Sequence, residues 1–286
     1  MKKLLLLLLS MVMLICGGCS NGPADTTVSD LSQEKVVYTL SVTTEGGMPL
    51  SGVRVYVYND KEQTDLAWAG VSEKDGSFKF SDYANNSYTV VLQDVPVGYI
   101  SEESYTVDNT SAELKLKAQL VDIKDAESYV LKLGGPFYNL EFTDVNGNTC
   151  KISDLLKTKR AVVLNFWFIG CGPCRNEFPY MQESYLQYKD KIEILAVNPT
   201  DGTNATVSAY ANELGLTFPM VSSDSSVARL LNITAFPTTI VIDKYGTMAY
   251  CHVGSITNTS EFNKLFGFFC DDNYKQTTIL NISDIK

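Results

Sequence analysis

The run Cys171-Gly172-Pro173-Cys174 constrains this chain more than any other feature. Two thiols separated by two residues can close into a small ring, and Gly172 and Pro173 keep that ring tight. Residues 161–168, Ala-Val-Val-Leu-Asn-Phe-Trp-Phe, read as a buried strand. After the ring, Phe178, Met181, Tyr185 and Tyr188 recur at helical spacing. The dithiol is thus expected between a buried strand and a helix start. A helix N-terminus offers unpaired N–H groups and a positive dipole end, which lower a thiol's pKa and favour the nucleophilic thiolate. The same spacing occurs in half of a zinc site, which needs two further ligands. His252 is the sole histidine, and no second close cysteine pair exists. Redox chemistry is therefore expected here, with no metal and no cofactor.

The first residues read as a targeting segment. Lys2-Lys3 precede an apolar run over 4–15, followed by Cys16-Gly17-Gly18-Cys19. A short basic region, a short apolar core and small residues make a secretory signal. The run is too short for a comfortable membrane span, and no other stretch is long and apolar enough. The last four residues resemble a bacterial lipobox, with Cys16 where a leucine is usual. The resemblance implies cleavage after residue 18 and a lipid on Cys19; the alternative is a plain signal peptide cut nearby. Residues 1–18 are then the signal and 19–35 a polar tether. Either way the protein is expected outside the cytoplasm, lipid-anchored to a bacterial cell membrane. With 33 Asp and Glu against 23 Lys and Arg, the chain has no basic footprint for nucleic acid. Cys150, Cys251 and Cys270 remain beyond the anchor and the dithiol. They are expected as small buried hydrophobes.

Over 36–118 the pattern is of short alternating runs broken by turn residues. Residues 36–42 read as a strand, and Val53, Val55 and Val57 alternate with Arg54, Tyr56 and Tyr58. Asp75-Gly76 before 77–80 reads as a hairpin, and 88–92 and 112–118 as further strands. This predicts a small all-β sandwich, and the motifs that follow, by resemblance, imply the immunoglobulin- or prealbumin-like type. The runs Pro49-Leu50-Ser51-Gly52-Val53, Asp75-Gly76-Ser77-Phe78 and Val95-Pro96-Val97-Gly98-Tyr99 resemble those of Cna-B, SpaA-like and carboxypeptidase-regulatory-like domains. Such modules space, present or bind. Some carry a Lys–Asn isopeptide crosslink; none is expected here, because residues 38–42 hold no lysine and Leu92 stands where the acid would be. Residues 119–133 read as a charged connector.

From residue 134 to the end, strand and helix signals alternate: a hairpin, the strand and helix flanking the dithiol, a strand over 192–197, helices over 205–214 and 225–231, a hairpin of 238–242 with 247–253, and a helix over 260–269. This order predicts an α/β fold, a mixed central sheet with helices on both faces. It resembles the thioredoxin fold and, more closely, the TlpA/ResA-like branch of thiol–disulfide oxidoreductases. Asn165-Phe166-Trp167, the dithiol, Glu177-Phe178-Pro179 and Phe236-Pro237-Thr238-Thr239 carry the resemblance.

The resemblance implies roles. Cys171, exposed at the helix start, attacks the substrate disulfide, and Cys174 resolves the mixed disulfide. Glu177, on the helix face of Cys174, helps move its proton. Pro237 is cis and lies against the dithiol, Pro179 kinks the helix, and Trp167, Gly170, Gly172, Pro173 and Phe236 meet substrate. Two residues depart from the family pattern: Gly170 stands where a large aromatic is usual, and Phe236 where the residue is small or β-branched. His252 is taken as structural. The implied partners are an oxidised protein substrate and a membrane thiol carrier of the CcdA or DsbD kind. Candidate substrates are apocytochrome c, a cell-wall or spore protein, or an antioxidant methionine sulfoxide or peroxide reductase. The Gly-Pro pair resembles that of reducing thioredoxins; an oxidising exchanger and a surface binding scaffold are the alternatives.

Overall fold

The computed structural model describes residues 34–285 apart from 85 and 224. The expected leader, Cys19 and most of the tether lie outside the described residues.

Eight strands build the first domain: β1 (Lys35–Thr44), β2 (Arg54–Tyr58), β3 (Leu66–Val71), β4 (Ser77–Tyr83), β5 (Tyr88–Gln93), β6 (Tyr99–Ile100), β7 (Tyr105–Val107) and β8 (Ser111–Ala118). They form two sheets, ordered β4-β1-β8-β6 and β3-β2-β5-β7. The period-two pattern explains why. Tyr38, Leu40 and Val42 of β1 and Val53, Val55 and Val57 are wholly buried, while their neighbours face outward. Strand β3 was not legible, because Ala67, Ala69 and Gly70 carry no β signal. Packing places it: a Cβ on Gly70 would stand 2.5 Å from the ring of Phe78.

Residues 119–133 are docked on the domain that follows. Val121 N–H donates to Phe137 O at 2.8 Å, and Asn139 N–H to Val121 O at 2.8 Å. Asp122 caps a 3-10 turn at Ile123–Ser128, and the Tyr138 hydroxyl donates to Tyr129 O.

The second domain opens with a hairpin of β9 (Glu141–Thr143) and β10 (Thr149–Lys151), then α1 (Ile152–Leu155), β11 (Ala161–Phe166), α2 (Gly172–Tyr188), β12 (Ile192–Asn198), α3 (Asn204–Leu214), β13 (Met220–Ser222), α4 (Ser225–Leu230), β14 (Thr238–Asp243), β15 (Met248–Val253) and α5 (Thr259–Cys270). The five-stranded sheet is ordered β13-β12-β11-β14-β15. Strands β11, β12 and β13 run parallel, and β14 runs antiparallel to both neighbours. Every residue of β11 and β14 is buried, as both sheet faces are covered. One face packs residues of α2, α3 and α5; the other packs the hairpin, α1 and α4. This is the thioredoxin fold, behind a prealbumin-like sandwich.

The last residues return to the first domain. Ile279 bridges Tyr250, and the buried Gln276 accepts from Thr44 Oγ1 at 2.6 Å and donates to Thr247 Oγ1 at 3.3 Å. Thr247 and the Tyr274 hydroxyl in turn donate to the buried Asp243 carboxylate. Burial pushes the Asp243 pKa up, against the hydrogen bonds that favour its charge.

Candidate active site

Strand β11 ends at Phe166, two residues short of the expected run, and the chain turns through 167–170 into α2. Asp201, from the segment after β12, receives the Ile169 N–H at 3.1 Å. Cys171 is the N-cap of α2: its Sγ receives the Cys174 N–H at 3.2 Å, and Pro173 stands in the first turn. Extended backbone at the cap and proline at the start are what a helix N-terminus favours. Cys171 and Cys174 are joined by a disulfide, with Cα atoms 5.3 Å apart. The structure thus holds the oxidised form. The expectation that Cys171 is exposed is corrected: it is 4% exposed, with Cys174 wholly buried behind it.

The surroundings of the ring divide in two. Gly170, Gly172 and Pro173 are exposed, and Phe236 is half-buried. Trp167, expected to meet substrate, is wholly buried. Its ring stacks on Tyr210 at 4.9 Å and meets the edge of Phe178 at 5.3 Å, so it forms the floor below the ring instead. Phe168 fills the space beside Gly170, where an added Cβ would stand 3.3 Å from its ring. Phe168 also packs edge-on against Phe236 at 5.5 Å, so one ring links the two unusual positions. The Phe236–Pro237 peptide is cis, and Pro237 O receives the Gly254 N–H at 2.9 Å. Pro179 lies inside α2, which runs unbroken from Gly172 to Tyr188.

Glu177 lies one turn after Cys174 and is wholly buried. Oε1 receives Asn165 Nδ2 at 2.8 Å and the Thr239 hydroxyl at 3.5 Å, and Oε2 receives the Ile256 N–H at 3.1 Å. Burial pushes its pKa up to about 7, and the three hydrogen bonds pull against that rise. A carboxyl poised there can take and return a proton near neutral pH. Asn165 and Thr239 stand out in the sequence as motif residues, but nothing in it marks them as the partners that hold Glu177. The register aligns them: Asn165 of β11 pairs with Thr239 of β14. The Ile256 N–H left no signal in the sequence.

His252 is half-buried on β15, its ring parallel to Tyr250 at 6.2 Å. Cys150 and Cys270 are buried, and burial pushes the Cys150 thiol up to about 11. Cys251, expected to be buried, is exposed: it lies near the end of β15, the edge strand of the sheet, where cover runs out. Among the described residues no group of three His, Cys, Asp or Glu could hold a metal ion.

Comparison with known proteins agrees with this architecture. Residues 133–251 match the AhpC/TSA family, and residues 38–124 match a prealbumin-like fold domain. The chain is 36% identical over 133 residues to the thiol-disulfide oxidoreductase ResA of Geobacillus kaustophilus, covering 46% of this chain and 75% of that protein. It is 32% identical over 157 residues to ResA of Bacillus subtilis, covering 54% of this chain and 79% of that protein. It is 35% identical over 108 residues to the thioredoxin-like protein YneN of the same organism, covering 37% of this chain and 64% of that protein. A thioredoxin-fold enzyme with a dithiol at a helix N-terminus is the class that fold and site define. Within it, the chain belongs to the ResA-like thiol–disulfide oxidoreductases.

Proposed function

We propose that this protein is a lipid-anchored, extracytoplasmic reductase of protein disulfides. The observation that carries the reading is the buried Glu177 behind a dithiol at a helix start, since a helix N-terminus favours a thiolate and the carboxyl serves the second thiol. The Cys171 thiolate attacks one sulfur of a substrate disulfide, forming a mixed disulfide and expelling the other sulfur as thiolate. The Cys174 thiol gives its proton to the Glu177 carboxylate and attacks Cys171 Sγ. The Cys171–substrate bond breaks, and the second substrate sulfur leaves. Two electrons pass to the substrate, and the enzyme is left as the disulfide seen here. A membrane thiol carrier of the CcdA or DsbD kind restores the dithiol. Exposed Gly170, Gly172 and Pro173, with Phe236 and the cis Pro237, form the surface that receives the substrate chain. Anchoring at Cys19 places the enzyme at the outer side of the cell membrane.

The test is turnover and trapping. Wild type reduces insulin in the presence of dithiothreitol, and Cys171→Ser does not. Cys174→Ala accumulates a mixed disulfide on Cys171, whose partner is the substrate. Equal turnover in wild type and Cys171→Ser would leave a binding scaffold as the better reading. A dithiol potential near −120 mV, rather than near −270 mV, would instead make the enzyme an oxidant.

A further inference from the structure

Asn165 is wholly buried, yet its amide is only half used. Nδ2 donates to Glu177 Oε1 at 2.8 Å and to Thr239 Oγ1 at 3.1 Å. Oδ1 has no hydrogen-bond partner. A buried carbonyl left without a donor is costly, and in native chains such an atom calls for a compensating role.

The two ends of an amide have nearly the same shape, and its terminal torsion is soft and close to two-fold. As it stands, the NH2 group faces a carboxylate, which only accepts. A half-turn brings Oδ1 to the same place. There it accepts from a carboxyl O–H and from the Thr239 hydroxyl, and Nδ2 becomes the unpaired end. Each orientation leaves one end of the amide unpaired, so the proton on Glu177 decides between them.

The neighbours leave this task to Asn165. Cys174 precedes Glu177 by one turn on α2, and Tyr250 from β15 feels its charge. Glu261 of α5 acts on Tyr250 but does not figure among the influences on Glu177. Those influences are burial and three hydrogen bonds. The Ile256 N–H can only donate, so it favours the ionised form and cannot receive the O–H of the acid. Asn165 and Thr239 are the partners able to donate to the carboxylate and also to accept from the acid's O–H.

We infer that Asn165 is a positioning residue for proton transfer at Glu177, its amide donating to the carboxylate and turning to accept from the carboxylic acid. The inference rests on Glu177 taking the Cys174 proton. When that proton arrives, the Glu177 O–H is held by Asn165 Oδ1 and the thiolate is free to attack. When it returns, Nδ2 holds the carboxylate again.

The test follows the Glu177 carboxyl by 13C NMR in the oxidised full chain, with Glu177→Gln identifying the resonance. Asn165→Leu keeps the side chain's size and removes both functions. The Glu177 midpoint then rises by about one to two pH units, the worth of a hydrogen bond to a charged group. Asn165→Asp keeps the shape and gives a coupled two-step titration of the carboxyl pair. In wild type the Asn165 side-chain NH2 resonances shift with the Glu177 midpoint, a measurement that needs no variant at position 165. A midpoint unmoved in Asn165→Leu, or amide resonances that ignore the titration, overturns the inference. A release rate for the mixed disulfide that is unchanged in Glu177→Gln between pH 6 and pH 8 removes Glu177 as proton acceptor, and the inference falls with it.

Discussion

Glu177→Gln should stabilise the fold at alkaline pH while impairing the enzyme. The carboxyl has an ordinary pKa of 4.5 and is raised to about 7 in the folded chain, mainly by burial. Its neutral form therefore favours the fold. That stability is fully present below pH 4.5 and fades as pH rises towards 7. Above 7 the fold carries a buried charge, and the full cost is 1.36 kcal/mol for each pH unit between the two values, about 3 kcal/mol. Glutamine keeps the side chain's size and never titrates. Its Oε1 can accept from Ile256 and its Nε2 can donate to Asn165 Oδ1 after the amide turns. Any constant gain or loss from those contacts is the same at every pH. The assay is urea unfolding of the oxidised wild type and variant at pH 4.5 and pH 8.5. Other groups titrate alike in both proteins and cancel in the difference. The variant should gain about 3 kcal/mol on wild type between the two pH values. A difference in stability that is the same at both would refute the raised pKa, and with it the physical basis for proton transfer.

Three further outcomes follow from packing. Gln276→Ala leaves the buried Thr44 hydroxyl without its acceptor and should cost about 2 kcal/mol or more, read as a lower urea midpoint with unchanged slope. Gly70→Ala drives a methyl against the Phe78 ring and should cost about 1–3 kcal/mol in thermal or urea unfolding. In a fragment starting at residue 34, iodoacetamide should modify Cys251 in the native oxidised protein, and Cys150 and Cys270 only after denaturation, as mass spectrometry of peptides would show.

The fold was legible where period and punctuation agreed. Val53, Val55 and Val57 announced one face of the sandwich, and the apolar run ending at Phe166 announced the central strand. Strand β3 was silent because its alanines carry no β signal and Gly70 is fitted to the Phe78 ring rather than to β propensity. At the site, residue types gave away the dithiol, Glu177 and Pro237. The depth of Cys171, the floor role of Trp167 and the exposure of Cys251 are tertiary facts. They depend on Tyr210, Phe178 and the sheet edge, which lie far off in the chain. The main-chain N–H of Ile256 could not be read at all, since every residue but proline has one.

The position of the sandwich bears on whether the first domain serves as a spacer or binds substrate. Its contacts with the catalytic domain run through Gln276, Thr247 and the turn after Asp243, at the end of β14 that pairs with the first residue of β11. The dithiol follows the other end of β11, where Phe166 pairs with Thr238. Six residues of strand, roughly 17–20 Å, separate the two ends. Gly46 adds to the fit, since a Cβ there would collide with Gln276. A module fixed by buried hydrogen bonds at one end of the sheet leaves the opposite end open. That arrangement supports a spacer behind the catalytic domain, with the dithiol following the far end of β11. A substrate-binding module would instead need surface beside the dithiol, and there the neighbours are Phe168, Gly170 and Phe236, all from the catalytic domain itself.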